Sequence, residues 1–147
     1  MNEELDYSAV TWSETALKRG NITHKRDGQK AYYDYKKIGD WFKGLGLQFK
    51  NVNKATFTEN IGWGVYKCPA DANADCTEQM KKAIRTTFDF FLKEKGKKYR
   101  PHYNSLMKNE FRKIGVGLTV DEKKHRYYLT IHYATELVNK PLEVCEE

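Results

Sequence analysis

The chain has 147 residues, of which 39% are hydrophobic and 31% are charged, and its formal net charge is +6. This length and balance fit one globular domain spanning residues 1–147 and exclude a disordered chain. The basic residues are spread along the sequence as well as clustered in KEKGKKYR and KKHR, which favours a solvated surface over a nucleic-acid interface. The sequence therefore predicts one domain with no nucleic-acid partner.

No window approaches the roughly 20 consecutive apolar residues that a transmembrane helix requires, so no membrane span is predicted. The chain also opens without a basic and apolar signal peptide. The alternatives are a cytosolic protein and a processed or truncated chain, and we interpret the start MNEELDYSAV as the point at which a signal or anchor segment has been trimmed. Peripheral or lipid-anchored attachment to a membrane is compatible with this interpretation.

The three cysteines indicate whether the protein works in an oxidising or a reducing compartment. Cys68 and Cys76 flank the polar segment PADANAD, a spacing that a disulfide can close, while Cys145 is left over near the end. A disulfide favours an oxidising, extracellular location. The alternative is three free thiols in a reducing cell, because spacing alone does not show that the two side chains meet.

Helices are predicted in the first third of the chain. Apolar residues at helical spacing predict a helix over residues 6–19, followed by a stop at Gly20. A second apolar stripe predicts a helix over residues 29–43, before the glycines at positions 44 and 46.

The spacing of apolar residues then changes to the alternation of a strand, and after that it returns to helical spacing. Ile61, Trp63 and Val65 alternate with small residues, which predicts a strand led in by Glu59. From Thr77 to residue 92 the apolar residues again recur at helical spacing, and this is the most regular repeat in the sequence.

The last part of the chain predicts a short helix and a hairpin. The helix spans residues 103–111 and places His102 at its N-terminus. Two alternating stretches joined by the turn DEKKH form the hairpin. Gly115 and Gly117 share one face of its first strand and permit a helix or a loop to approach closely, which indicates a sheet covered on both faces.

Three polar residues at the ends of these elements form a candidate site. Two imidazoles and a carboxylate, those of His24, His102 and Glu59, are suitable ligands for zinc or another divalent cation. On spacing alone, hydrogen-bonded or solvent-facing histidines are the stronger interpretation. We interpret His125, in the hairpin turn, and His132, on the last strand, as surface or packing residues.

Other chemistries have less support. The sequence has no G-x-S-x-G motif for a nucleophilic serine. The glycine pairs in GWG and GVG do not lie between a strand and a helix, as a phosphate-binding loop requires. The cysteines are interpreted as structural.

Three stretches form one ordered set of motifs: YSAVTWSETALKRGNITH, TENIGWG and RPHYNSLMKNEFRKIGVGL, followed by YYLTIHYAT. In order and type they resemble the CAP superfamily, which comprises the cysteine-rich secretory, antigen 5 and pathogenesis-related proteins and is also called SCP-like. The bacterial branch is the most similar. The resemblance spans residues 5–135.

The resemblance implies an α+β fold, a three-layer α-β-α sandwich with a central and mainly antiparallel sheet. Carried over residue by residue, the cleft histidines of the family fall on His24 and His102, and the glutamate of its E-N-I segment falls on Glu59. A second glutamate often completes the set from the helix before the last motif. That helix has none at the expected place, and Asp89 is the nearest substitute.

The resemblance further implies a secreted or cell-surface domain that binds a sterol, a fatty acid or a protein partner, with a candidate divalent-metal site in the cleft. An enzyme is the less favoured expectation. The alternative is a metal-dependent hydrolase that uses the same cleft, in which the ion activates water and Glu59 acts as general base.

Overall fold

The computed structural model of the chain describes residues 1–49, 51–68 and 75–137. These residues form four α-helices, one 3-10 turn and three strands. In chain order they are α1 Glu3–Arg19, α2 Tyr35–Gly44, β1 Phe57–Val65, α3 Thr77–Lys93, the 3-10 turn Glu94–Gly96, α4 Pro101–Met107, β2 Lys113–Asp121 and β3 Arg126–Ala134.

The two N-terminal helices differ from the prediction at their starts. Helix α1 begins earlier because the side chain of Asn2 accepts a hydrogen bond from the backbone N–H of Leu5 at 2.9 Å and caps the helix. Helix α2 begins later, at the cap Asp34. The residues before it form a loop in which the Gln29 side chain accepts from the N–H of Arg26 and donates to two backbone carbonyls. An amide that satisfies a loop in this way competes with helix formation.

Helix α4 is shifted towards the N-terminus relative to the prediction. Pro101 occupies its first position, where a missing N–H costs nothing, and His102 follows in the first turn. The helix ends at Met107 because Lys108 adopts extended backbone angles. The prediction that His102 lies at the start of this helix is confirmed.

The three strands form an antiparallel sheet in the order β1-β3-β2, so β3 is central. Helices and an antiparallel sheet together confirm the predicted α+β class. The β2-β3 hairpin is also confirmed, and β1 extends further than predicted because Phe57 pairs with Ala134.

The sheet carries a hydrophobic cluster on each face. On one face Leu5 of α1 and Phe42 of α2 pack with Phe57 and Ala134 of the sheet. On the other face Phe91 of α3 packs against the alternate residues of β3. Because neighbouring residues of a strand point to opposite faces, β3 supplies side chains to both clusters.

Helix α1 lies directly on the glycine face of β2. A Cβ atom at Gly115 would overlap the backbone of α1 at Leu5, and one at Gly117 would overlap it at Ala9. The close approach predicted from the two glycines is confirmed.

The predicted disulfide and the predicted absence of a membrane span can be compared with the structure. Cys68 and Cys76 form a disulfide, with their Cα atoms 5.6 Å apart. Cys145 lies outside the described residues. No helix within the described ranges is both long and apolar enough to cross a membrane.

We expect Gly117→Ala to lower the free energy of unfolding by about 3 kcal/mol or more, because the overlap is with backbone that cannot rotate away. Urea denaturation followed by tryptophan fluorescence measures the change. Gly44→Ala is the matched control, since the new methyl group meets nothing within 4 Å and alanine favours the helix. Equal denaturation midpoints for the two variants would contradict the close packing of α1 on β2.

Candidate functional site

A cleft with a volume of about 960 Å³ runs along β1. Residues 58–65 of β1 line its floor, and its walls come from the segment before α2 on one side and from α3 and α4 on the other. Most of its lining is apolar or aromatic. His24, Glu59 and His102 all line this cleft, so the structure brings together the three residues that the sequence proposed.

The carboxylate of Glu59 accepts four hydrogen bonds from the side chains around it. Its Oε1 accepts from His24 Nδ1 at 2.7 Å and from Arg26 Nη1 at 2.8 Å. Its Oε2 accepts from Arg26 Nη2 and from His132 Nε2, both at 2.6 Å. Glu59 is only 3% exposed, and these four bonds use the hydrogen-bonding capacity of both oxygens.

Arg26 supplies the countercharge to Glu59 from inside the protein. Its guanidinium carbon lies against two indole rings that meet edge to face, 3.7 Å from the ring centre of Trp12 and 4.4 Å from that of Trp41. Its Nη1 also donates to the carbonyl of His24 at 3.0 Å. A bidentate pair flanked by aromatic faces holds a buried charge with both electrostatic and geometric specificity.

The surroundings of Glu59 favour its ionised form. Burial alone would raise the pKa of this carboxyl, but the charge of Arg26 and the hydrogen bonds from Arg26, His132 and His24 outweigh burial and lower the pKa well below its usual range. The ionised group therefore contributes stability that is present above about pH 4.3, the usual value for glutamate, and is lost as the pH falls through the folded-state pKa.

His132 continues the network into the core. Burial lowers its pKa, so it is neutral, and its Nε2–H donates to Glu59. Its Nδ1 then accepts from the hydroxyl of Ser8 at 2.7 Å. This serine-histidine-glutamate order matches that of a nucleophilic triad, but Ser8 and His132 are both 0% exposed, so no substrate reaches the hydroxyl. The network is structural.

His24 connects this network to the cleft. Its Nδ1–H donates to Glu59, and its ring packs against Tyr33 with 4.7 Å between ring centres. The hydroxyl of Tyr33 accepts the backbone N–H of Glu59 at 2.9 Å. Burial and the nearby charge of Glu59 raise the pKa of Tyr33 well above its usual value, so this tyrosine stays neutral.

His102 has a carboxylate of its own. Its Nδ1 donates to Glu94 Oε1 at 2.7 Å, and its ring stacks on Phe91 with 4.4 Å between ring centres. Glu94 Oε2 also accepts from the backbone N–H groups of His102 and Tyr103, so the carboxylate caps the start of α4. Each cleft histidine is thus fixed by one buried glutamate.

The assignment of Asp89 to the cleft is corrected. Asp89 is exposed on α3 and does not line the cleft. The carboxylate that bonds His102 is that of Glu94, the first residue of the 3-10 turn that follows α3. Glu94 lies outside the helix on which the second carboxylate was expected.

The three-ligand metal set does not match this geometry. Glu59 has no oxygen left for an ion, and no group of three histidine, cysteine, aspartate or glutamate side chains within the described residues is arranged to hold one. His24 and His102 are the two members of the set that keep a free ring nitrogen. Because both donate from Nδ1 to a carboxylate, each keeps the lone pair of Nε2 for a ligand, and neither Nε2 has a hydrogen-bond partner among the described residues.

Sequence reasoning missed three residues of the site: Arg26, Glu94 and His132. Glu94 lies in the basic run KEKGKK, which indicates a solvated surface, and Arg26 lies in HKR, where no pattern distinguishes it from a surface charge. His132 shares a strand face with Tyr128 and Thr130, which are both buried. A histidine at an inward position of a central strand was the one available signal that a buried polar partner was needed.

Comparison of the chain with models of protein families, with curated proteins and with solved structures found no match.

We expect Arg26→Ala to lower the free energy of unfolding by about 3–5 kcal/mol, because it leaves the buried charge of Glu59 without its countercharge. Arg19→Ala is the matched control: its partner Asp27 is fully exposed, so the loss should stay below about 1 kcal/mol. Chemical denaturation at pH 7 measures both changes. Similar losses in the two variants would contradict a stabilising role for the buried pair.

Proposed function

We propose that the chain is a CAP-type ligand-binding domain that takes up an apolar ligand, a fatty acid or a sterol, in the cleft along β1. The observation that carries the proposal is the composition of this cleft: a largely apolar and aromatic lining, with His24 and His102 on opposite walls and both held by buried carboxylates. Concave apolar sites with a few fixed polar groups are typical of small-molecule binding.

The cleft has the size and surface that such a ligand requires. Its volume of about 960 Å³ lies towards the upper end of the range for ligand pockets. Tyr32, Phe90 and Tyr99 line it and are more than half exposed in the free chain, at 58%, 55% and 83%. Covering these rings with an apolar ligand would release water from a large aromatic surface, which favours binding.

We propose that the domain acts outside the cell, secreted or attached at the surface, because the Cys68–Cys76 disulfide suits an oxidising compartment. A partner protein is the second class of ligand that the cleft would accept. A divalent ion, zinc foremost, would be held by His24 and His102 and would add a positive charge next to a carboxylate head group.

No specific observation favours the metal-dependent hydrolase. A general base must accept a proton near neutral pH. The lowered pKa of Glu59 and its four hydrogen bonds make this carboxylate a poor proton acceptor. The cleft is therefore proposed as a binding site.

Titration with a fluorescent fatty acid, cis-parinaric acid, and with a fluorescent sterol tests this proposal. We expect saturable uptake by the wild type of at least one of the two probes. Phe90→Glu should weaken it by roughly ten-fold or more, because it places a charge on the apolar wall. Leu92→Glu changes an exposed residue of the same helix that does not line the cleft, and it should bind like the wild type.

The proposal is wrong if neither probe shows saturable uptake by the wild type. It is equally wrong if both glutamate variants lose affinity to the same extent, since binding would then not depend on the cleft.

A further inference from the structure

Strand β1 is an edge strand of the sheet. The sheet order β1-β3-β2 places β1 at one side, paired with β3 alone among the described residues. Within a strand, backbone N–H and C=O groups alternate between the two neighbouring positions, so half of those in β1 point away from β3.

The hydrogen bonds show which half this is. The N–H of Thr135 donates to the carbonyl of Thr56, and the N–H of Tyr66 donates to that of His125, each at 3.0 Å. The even-numbered residues of β1 therefore face β3. In agreement, the N–H of the odd-numbered Glu59 turns the other way and donates to Tyr33.

The outward groups differ between the two ends of β1. Near Glu59 the edge is occupied by Tyr33, and α4 lies close by, since Thr58 bonds Ser105 and Asn60 bonds the carbonyl of His102. From Ile61 to Val65 the outward N–H and C=O groups have no hydrogen-bond partner among the described residues. This half of the strand, IGWGV, carries no charge, and Trp63 and Val65 are 50% and 59% exposed.

Proteins normally protect such an edge with lysine, proline, a bulge or a covering segment. Residues 61–65 contain neither a charged residue nor a proline. These residues also form the floor of the cleft. An uncharged edge at the bottom of a groove is suited to accept one further strand.

We propose that the edge of β1 from Ile61 to Val65 pairs with an extended, carboxylate-bearing peptide segment of a partner protein, which lies in the cleft as an added strand. This inference rests on the proposed binding role of the cleft and names the kind of protein partner that the cleft accepts.

The two walls provide contacts for both faces of an added strand. Successive side chains of a strand point to opposite sides, so one set would meet Ile22 and Tyr32 and the other would meet Phe90 and Tyr99. Backbone pairing with β1 would supply affinity, and the aromatic walls would select apolar side chains at alternate positions.

Charge favours an acidic segment. Tyr99 lines the cleft and stands between exposed basic residues, Lys97, Lys98 and Arg100, and the Nζ of Lys97 lies 5.5 Å from the ring centre of Phe90. The carboxylate that lines the cleft, Glu59, is already compensated by Arg26. Acidic side chains on the α3 side of the peptide would therefore meet positive charge that has no ion-pair partner in the described part of the chain.

A second copy of the chain fits this edge less well than a single segment does. The edge lies between two walls, and a symmetric partner would bring the same two walls against them. An isolated extended peptide has no such walls.

The test is selection of a random nonapeptide library displayed on phage, carried out in parallel on wild type, Trp63→Pro and Trp63→Ala. Proline removes the outward N–H of residue 63 and is compatible with an edge strand, while alanine removes the same exposed side chain and keeps the N–H. Circular dichroism confirms that both variants are folded. Leading clones are then synthesised as free peptides, with and without N-methyl groups on alternate backbone amides.

We expect acidic sequences to be enriched on wild type and Trp63→Ala, and their affinity for Trp63→Pro to be weaker by roughly ten-fold or more than for Trp63→Ala. N-methylation should abolish binding, and this result remains decisive if the proline variant does not fold. No enrichment on the wild type, equal binding by both variants, or binding that tolerates N-methylation in both alternate patterns would each overturn the inference.

The same samples separate this inference from the proposed function. Trp63→Pro and Trp63→Ala should take up cis-parinaric acid to the same extent, because both lack the indole ring and differ only in the outward N–H of residue 63, which an apolar ligand does not need. A chain that takes up this fatty acid and selects no peptide would retain the proposed lipid-binding role and lose the peptide site.

Discussion

The buried ion pair between Glu59 and Arg26 is the interaction on which the rest of this structure depends. Removing a carboxylate and a guanidinium group from water costs several kcal/mol for each ion, and their mutual attraction offsets this cost only if the geometry is good and the remaining lone pairs of the carboxylate are filled. The pair is bidentate, and the remaining capacity of the carboxylate is filled by His24 and His132. Strand β1, the loop before α2 and the central strand therefore meet at a single carboxylate.

The same network links the core to the cleft. In the core, His132 is hydrogen-bonded to Ser8 of α1. On the side of the cleft, His24 forms part of the wall. His102, on the opposite wall, is likewise bonded through Nδ1 to a buried carboxylate, that of Glu94. The inner end of the cleft is thus polar and hydrogen-bonded, whereas its outer end consists of exposed aromatic rings and the edge of β1. This division suits a site that fixes one end of a ligand and covers the rest by apolar contact.

Local patterns predicted the elements whose signals are local. Helix α3, the hairpin and the glycine contact with α1 follow from periodicity and from the absence of a side chain at Gly115 and Gly117. The start of α2 could not be predicted in this way, because the Gln29 side chain holds the preceding residues in a loop. Its stripe of apolar residues indicated only where the helix packs.

The site was predictable only in part. The family resemblance selected His24, Glu59 and His102, which line one cleft, but spacing could not reveal which groups neutralise them. Arg26 and Glu94 lie in charged stretches that normally face water, and only the fold buries them. The partners of a buried charge are set by tertiary contacts, which a single sequence does not display.

A carbon-13 NMR titration of the glutamate side chains tests the central claim most directly. If Glu59 is held ionised by Arg26 and the two histidines, its carboxyl signal should not change as the pH is lowered through about 4.3, the usual pKa of glutamate. It should change only when the fold is lost. A change of this signal near that pH, in a chain that remains folded, would contradict the account.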